Sequence, residues 1–278
     1  MNPSRLLLVD GDPSLHERLA GLLQRDDRWI SSVYELPEAI ERLRCEAFDL
    51  VVAGQDRNGC DGLNLLRRAR ALCPRTPVIV IGGPDPARAA AALRDGAYTY
   101  FHNPVPENPL KDMVQLALDA GPWRSDIRVA SARLDWLALE VRAKMEAVER
   151  VTQFVREIET DLPGGACENV AAAFRELLLN AVEHGAGLDA RKRVSAALIR
   201  TARAILVRIQ DPGKGFSMDR LPHAAIANPA DSPIHHVEIR AEQGQRPGGF
   251  GILMCHSLGD ELLYSERGNE ALFVKYLR

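Results

Sequence analysis

The chain has 278 residues, 46% of them hydrophobic and 26% charged, which is enough for two globular domains that each bury a core. A net charge of −3 and the lack of any dense Lys/Arg run argue against direct nucleic-acid binding. Five cysteines (Cys45, Cys60, Cys73, Cys167 and Cys255) show no CxxC or Cys/His metal spacing, and no apolar run nears the ~20 residues that span a bilayer, so a cytoplasmic protein with reduced, mostly buried thiols and no membrane partner is expected.

From Leu6 the chain repeats one pattern: a short apolar run, a turn, then an amphipathic helix. Leu6–Val9, Leu50–Ala53, Val78–Ile81 and Tyr98–Phe101 predict strands, with a weaker one at Ser32–Tyr34. Ser14–Gln24, Pro37–Arg44, Leu63–Leu72, Ala87–Arg94 and Asn108–Leu118 predict the intervening helices. Short continuous apolar strands separated by helices imply a parallel sheet covered on both faces. The class is therefore α/β, with a doubly wound five-stranded domain over residues 1–120.

Gly121-Pro122-Trp123 breaks the last of these helices, and no clear period follows, so residues 121–132 read as a linker. Trp136–Val141 alternates as a strand. Met145, Val148, Val151, Val155 and Ile158 then recur at helical spacing and predict the core face of an amphipathic helix.

Three blocks in the second half carry chemistry. Within Phe174–Gly185, Glu176, Asn180 and His184 lie four apart, one polar stripe on a helix beside Leu177, Leu178 and Val182. Polar groups beside an apolar face need partners, and a metal-bound phosphate supplies them. The strand Ile205–Gln210 leads into Asp211-Pro212-Gly213-Lys214-Gly215-Phe216, and Pro247-Gly248-Gly249-Phe250-Gly251 leads into an apolar helix. Glycines two apart let backbone N–H groups approach phosphate oxygens, and a helix N-terminus behind them favours anions. His223, His235 and His236 lie between these blocks without a further ligand at metal spacing and read as solvated loop residues.

In the first half, LLLVDGDPSL, FDLVVAGQDRNGCDGLNLL, PVIVIGG and LRDGAYTYFHNPV resemble the receiver domain of two-component response regulators. The resemblance implies a phosphorylated aspartate after the third strand, Mg²⁺ held by acidic residues after the first, a Ser/Thr after the fourth and a Lys after the fifth. Here those positions fall on Gly54, on Asp10 with Gly11, on Gly82 and on Asn103. Asp56, two residues on, and Asp12 are the carboxylates near enough to substitute, but neither stands at the acceptor position. A phosphoryl site needs a nucleophilic carboxylate and cations, so the expectation is a pseudo-receiver without a phospho-acceptor, its fourth and fifth helices left for docking. Asn103–Pro104 matches the place where receivers carry a cis bond.

In the second half, ELLLNAVEHG, DPGKGF and GGFGILMCHSLGDELLYSERGNEALFVKYL resemble the ATP-binding domain of gyrase, chaperone, histidine-kinase and mismatch-repair ATPases, most closely its anti-sigma-factor serine-kinase branch. This resemblance spans roughly residues 133–278 and implies a two-layer α/β sandwich binding ATP and Mg²⁺ under a mobile lid, Ser217–Pro247. It implies Glu176 as the catalytic base, Asn180 as the Mg²⁺ ligand and Asp211 as acceptor of the adenine amino group. Gly213, Gly215, Gly249 and Gly251 are the implied loop glycines at the nucleotide. Implied partners are a STAS-type anti-anti-sigma protein and a sigma factor or other target, and pairing into homodimers is common in the family. Two departures stand out: Pro-Gly-Gly-Phe-Gly lacks the usual arginine, unless Arg246 serves, and Leu272 replaces a Thr/Ser near adenine. The leading expectation is a serine kinase in a partner switch, and the alternative is a nucleotide-gated adaptor without enzymatic activity. A histidine kinase would need an acceptor helical pair for which the linker is too short.

Overall fold

The computed structural model describes residues 3–55, 58–59, 61–120, 126–162, 165–215, 242 and 250–277. These fall into two compact units, one of residues 1–125 with Gln153–Thr160, the other of Asp126–Thr152 with residues 161–278. No described helix is long and apolar enough to cross a membrane.

The first unit runs β1 (Ser4–Val9), α1 (Pro13–Leu23), β2 (Arg28–Val33), α2 (Leu36–Cys45), β3 (Leu50–Ala53), α3 (Gly62–Leu72), β4 (Val78–Gly82), α4 (Pro86–Arg94), β5 (Thr99–His102) and α5 (Glu107–Asp119). Its sheet is parallel in the order β2-β1-β3-β4-β5, the doubly wound arrangement expected. Every residue of β3 is fully buried, because helices cover both faces of a central parallel strand. β2 starts earlier than the sequence predicts, since an edge strand is only half covered and its burial alternates. At the carboxyl ends of β1 and β3, and after β4, the chain turns into helices capped by aspartates. The Asp12, Asp61 and Asp85 side chains accept from Ser14, Leu63 and Ala87 N–H.

The second unit runs β6 (Ile127–Ala132), β7 (Trp136–Arg142), α6 (Met145–Ile158, of which the residues from Gln153 on belong to the first unit), α7 (Ala166–Asn180), a π-helical turn (Ala181–Gly185), β8 (Arg193–Arg200), β9 (Ala204–Gln210), α8 (Gly251–Leu258), β10 (Glu261–Tyr264) and β11 (Glu270–Tyr276). Its antiparallel sheet has the order β10-β11-β9-β8-β7-β6, and α7 packs on β9, β11 and α8 to make the second layer. Phe174, Leu177 and Leu178 of α7 and Val207 and Ile209 of β9 are buried in the core of this unit.

Two expectations need correction. β6 lies within the stretch read as a linker; a bulge between Val129 and Ser131 breaks its period of two, and its small residues give little apolar signal. Among the four described cysteines only Cys255 is buried; Cys45 is exposed, Cys73 and Cys167 are half-buried, and Cys60 lies outside the described residues.

One packing detail of the first unit has measurable consequences. A Cβ built on Gly54 would sit 1.9 Å from Asp10 Oδ2, so the Asp10 carboxylate fills the space a side chain at Gly54 would take. Asp10 is 2% exposed, with the Asp12 N–H donating to its Oδ1 at 2.9 Å. Burial outweighs that bond and pushes its pKa from 3.8 to about 6. The native state therefore keeps a proton that the unfolded chain releases, and stability falls as pH rises through this window, by at most about 3 kcal/mol. Asp10→Asn keeps the acceptor without the charge. The variant is expected to out-stabilise the wild type near neutral pH and to converge with it as pH falls below the unfolded value of 3.8 in urea titrations. A wild-type advantage that persists at neutral pH would show that the buried charge is not the cost.

Candidate functional site

The first unit brings together the positions the receiver resemblance named, without the groups the chemistry needs. Gly54 and Asp10 meet as described, Gly11 follows, and Asp12 is engaged as the α1 cap. Asp56 lies outside the described residues. A Cβ on Gly82 would sit 2.3 Å from Tyr100 Oη, so the buried Tyr100 occupies the region of the missing hydroxyl, donating to Gly83 O at 2.7 Å. Asn103 is exposed, accepts from Arg18 Nη2 at 3.4 Å, and precedes a cis bond to Pro104. One buried carboxylate faces a glycine, with an asparagine in place of the lysine.

The second unit gathers residues of all three sequence blocks around the end of α7. Glu176 and Asn180 lie one turn apart on this helix, and a Cβ on Gly251 would sit 2.8 Å from Glu176 Oε2 and 3.4 Å from Asn180 Nδ2. The first residue of α8 thus lies against both polar side chains, and a Cβ there would displace the Glu176 carboxylate. Glu176 is held from its other oxygen: Arg175 Nη1 donates to Oε1 at 3.2 Å, and Arg175 itself forks onto Glu149. Below lies Cys255, its thiol pushed up to about 12 by burial and by the negative Glu176.

Asp211 follows β9 and sits against the same helix end. Its Cγ would be 2.1 Å from a Cβ on Gly185, and Gly213 would carry its Cβ 2.6 Å from both Asp211 Oδ1 and Gly185 O. The Gly213 N–H donates to Asp211 Oδ1 at 2.7 Å. Asn269 fixes the backbone, its carbonyl accepting from Asp211 N at 3.0 Å and its side chain donating to Asp211 O at 3.1 Å. Burial raises the Asp211 pKa, while the Gly213 N–H and the nearby Arg267 oppose it. Gly215, at φ +79°, would place a Cβ 1.8 Å from Arg267 O, so the loop runs directly over the turn between β10 and β11.

His184 departs from the predicted stripe. Beyond Asn180 the helix widens into a π turn, so a residue four further on no longer stacks over its predecessor, and His184 is exposed. The widening carries Gly185 to Asp211 instead. Leu272 lies on β11 opposite Arg208. Gly249, Phe216, Arg246, His223, His235, His236 and nearly all of the segment read as a lid lie outside the described residues.

Sequence reasoning assigned no role to Gly185, Asn269, Arg175 or Glu149. Gly185 closes the first block and was legible as a glycine after an apolar helix. The other three are ordinary polar residues whose partners lie far along the chain. Among the described residues no three His, Cys, Asp or Glu side chains are placed to hold a metal ion.

Residues 6–115 match the response regulator receiver domain family, and residues 141–275 match the histidine kinase-like ATPase domain family. The response regulator protein FleR of Pseudomonas aeruginosa is 33% identical over 114 residues, covering 40% of this chain and 24% of FleR. Protein-glutamate methylesterase/protein-glutamine glutaminase 5 of Anaeromyxobacter dehalogenans is 30% identical over 192 residues, covering 63% of this chain and 51% of that protein. The matched stretch thus spans between a quarter and about half of these curated relatives (24% and 51%). A CheY-like receiver domain from Methanospirillum hungatei has a TM-score of 0.40 at 22% identity, over 43% of this chain and 96% of that one. The receiver domain of an HD domain-containing protein from Pseudomonas fluorescens has a TM-score of 0.40 at 27% identity, over 43% and 97%. The chain carries a response regulator receiver domain at residues 6–115 and a histidine kinase-like, ATP-binding domain at residues 141–275.

Proposed function

We propose that this ATP-binding signalling protein is a partner-switching regulator. In this reading it is a serine/threonine-protein kinase of the anti-sigma-factor type that phosphorylates a STAS-type anti-anti-sigma protein. The observation that carries the reading is the convergence of Glu176 Oε2 and Asn180 on the backbone of Gly251, with Asp211 seated on Gly185 at the same helix end. Phosphoryl transfer asks the protein mainly for positioning and charge neutralisation. A carboxylate oxygen facing the phosphate-binding backbone is placed to take the proton of an incoming hydroxyl. Asn180 would hold Mg²⁺ through its carboxamide oxygen, and the bound ion neutralises phosphate charge. Asp211 would accept from the adenine amino group, and the start of α8 offers N–H groups to the phosphates. The unphosphorylated partner would bind this unit and free a sigma factor or another target.

Control through the receiver would run by binding rather than by an aspartyl phosphate, because Gly54 offers no nucleophile. A second reading, a nucleotide-gated adaptor without catalysis, draws support from the loop Pro247-Gly248-Gly249-Phe250-Gly251, which lacks an arginine beside the phosphates.

Transfer of labelled γ-phosphate from ATP to a STAS-domain protein separates the two readings. Glu176→Gln is expected to slow transfer by about 10²- to 10⁴-fold while ADP still binds, and Asn180→Ala to remove the Mg²⁺ dependence of nucleotide binding. Intact partner binding without any transfer in the wild type would leave the adaptor. Gly185→Ala tests the adenine end: its Cβ collides with Asp211, so ADP affinity is expected to fall at least about tenfold in calorimetry, and unchanged affinity would remove Asp211 from the site. Beryllofluoride or acetyl phosphate is expected to leave the spectrum and mass of the chain unchanged; a stoichiometric adduct would restore an acceptor to the receiver.

A further inference from the structure

We infer that Arg175, clamped by Glu149, is a positioning residue for Glu176 that commits Oε2 to the reacting side; this rests on the reading of Glu176 as the general base. Consecutive residues on a helix point about 100° apart and do not normally meet. Arg175 and Glu176 nevertheless touch, because the arginine is bent by a partner on another helix. Its Nε donates to Glu149 Oε2 at 3.1 Å and its Nη2 to Glu149 Oε1, a two-pronged bond to α6. That leaves Nη1 to reach Glu176 Oε1 at 3.2 Å. Both Glu176 oxygens are thereby assigned: Oε1 faces the guanidinium, and Oε2 faces Gly251 and Asn180.

The terminal torsion of a glutamate is broad and two-fold, so an untethered carboxylate turns either oxygen toward a substrate and spends time in neither orientation. A base must be within hydrogen-bond reach of the proton it takes. Fixing one oxygen from behind therefore favours the reactive arrangement without touching substrate. Lysine cannot replace this arginine, because a single ammonium lacks the planar fork that grips Glu149 and still reaches Glu176. The three side chains are between 20% and 34% exposed. Ion pairs at this partial burial contribute modestly to stability, the Nη1–Oε1 contact sets the orientation of the carboxylate, and the variants are expected to fold.

The test follows release of inorganic phosphate from ATP by the full chain, alongside binding of a fluorescent ADP analogue. Arg175→Met and Glu149→Gln are each expected to lower kcat by roughly ten- to a hundredfold while the ADP-analogue dissociation constant stays within about twofold. The double variant is expected to be no slower than the slower single one, since both break one chain of contacts. Arg175→Lys is expected to recover only a small part of the loss. If Glu176→Gln abolishes turnover but Arg175→Met and Glu149→Gln leave kcat untouched, the positioning role is wrong and the base stands. If Glu176→Gln leaves turnover intact, or the wild type shows none, the base reading falls and this inference with it. Parallel losses of analogue affinity and thermal stability would mark a purely structural role and overturn the inference. Should Arg175→Met prove insoluble, Glu149→Gln decides alone, because it leaves Arg175 in place.

Discussion

Close backbone approach, possible only where no Cβ intervenes, organises the second unit. At Gly185, Gly213, Gly215 and Gly251 an added Cβ would fall between 1.8 and 2.8 Å from a neighbouring atom, well inside contact distance. These glycines bring three chain segments, far apart in sequence, to the end of one helix. Asp211 meets the helix because Gly185 leaves room for it. The backbone of α8 reaches Glu176 and Asn180 because Gly251 does. The π turn belongs to the same construction: one wider turn carries Gly185 under Asp211 and turns His184 outward. Hydrophobic burial of Phe174, Leu177 and Leu178 fixes where α7 lies on the sheet, and the glycines then decide what can gather at its end.

In the first unit glycine has the opposite consequence. Gly54 and Gly82 stand where the receiver resemblance expects a carboxylate and a hydroxyl, and neighbouring side chains have moved into both spaces. Asp10 fills one at the cost of a buried charge, and Tyr100 fills the other with its hydroxyl satisfied by Gly83 O. Restoring an aspartate at Gly54 would therefore set a second carboxylate against Asp10 within a buried space, where like charges raise each other's pKa unless a cation lies between them. The two glycines are thus matched by the packing around them, with Asp10 beside Gly54 and Tyr100 beside Gly82.

The strands and helices of the first unit were legible in the sequence because parallel strands buried on both faces read as unbroken apolar runs, such as Leu50–Ala53. β2 was legible only in part, and β6 not at all, since an edge strand or a bulged one loses the regular period that marks a strand. Glu176, Asn180, Asp211, Gly213 and Gly251, which the structure gathers at one helix end, stand out in the sequence because glycine-rich loops and a polar stripe on an apolar helix are local patterns. His184 was misplaced by assuming α-helical spacing through a π turn, which has no sequence marker. Arg175 and Glu149 escaped for a different reason: their meaning lies in a bond between residues 26 apart, and charged residues on amphipathic helices ordinarily read as solvated.

These two kinds of legibility divide the site by function. Residues that would touch the nucleotide are tied to backbone geometry, and backbone geometry leaves glycine signatures. Residues that orient them act through side-chain forks across helices and leave none. The Glu149–Arg175–Glu176 chain illustrates the second kind: it is partly buried and sits directly behind the carboxylate oxygen facing Gly251. Precision at a site depends on such supporting contacts as much as on the groups that meet substrate. A chain carrying every nucleotide-binding glycine can therefore still differ widely in catalytic rate, according to side chains that a motif does not include.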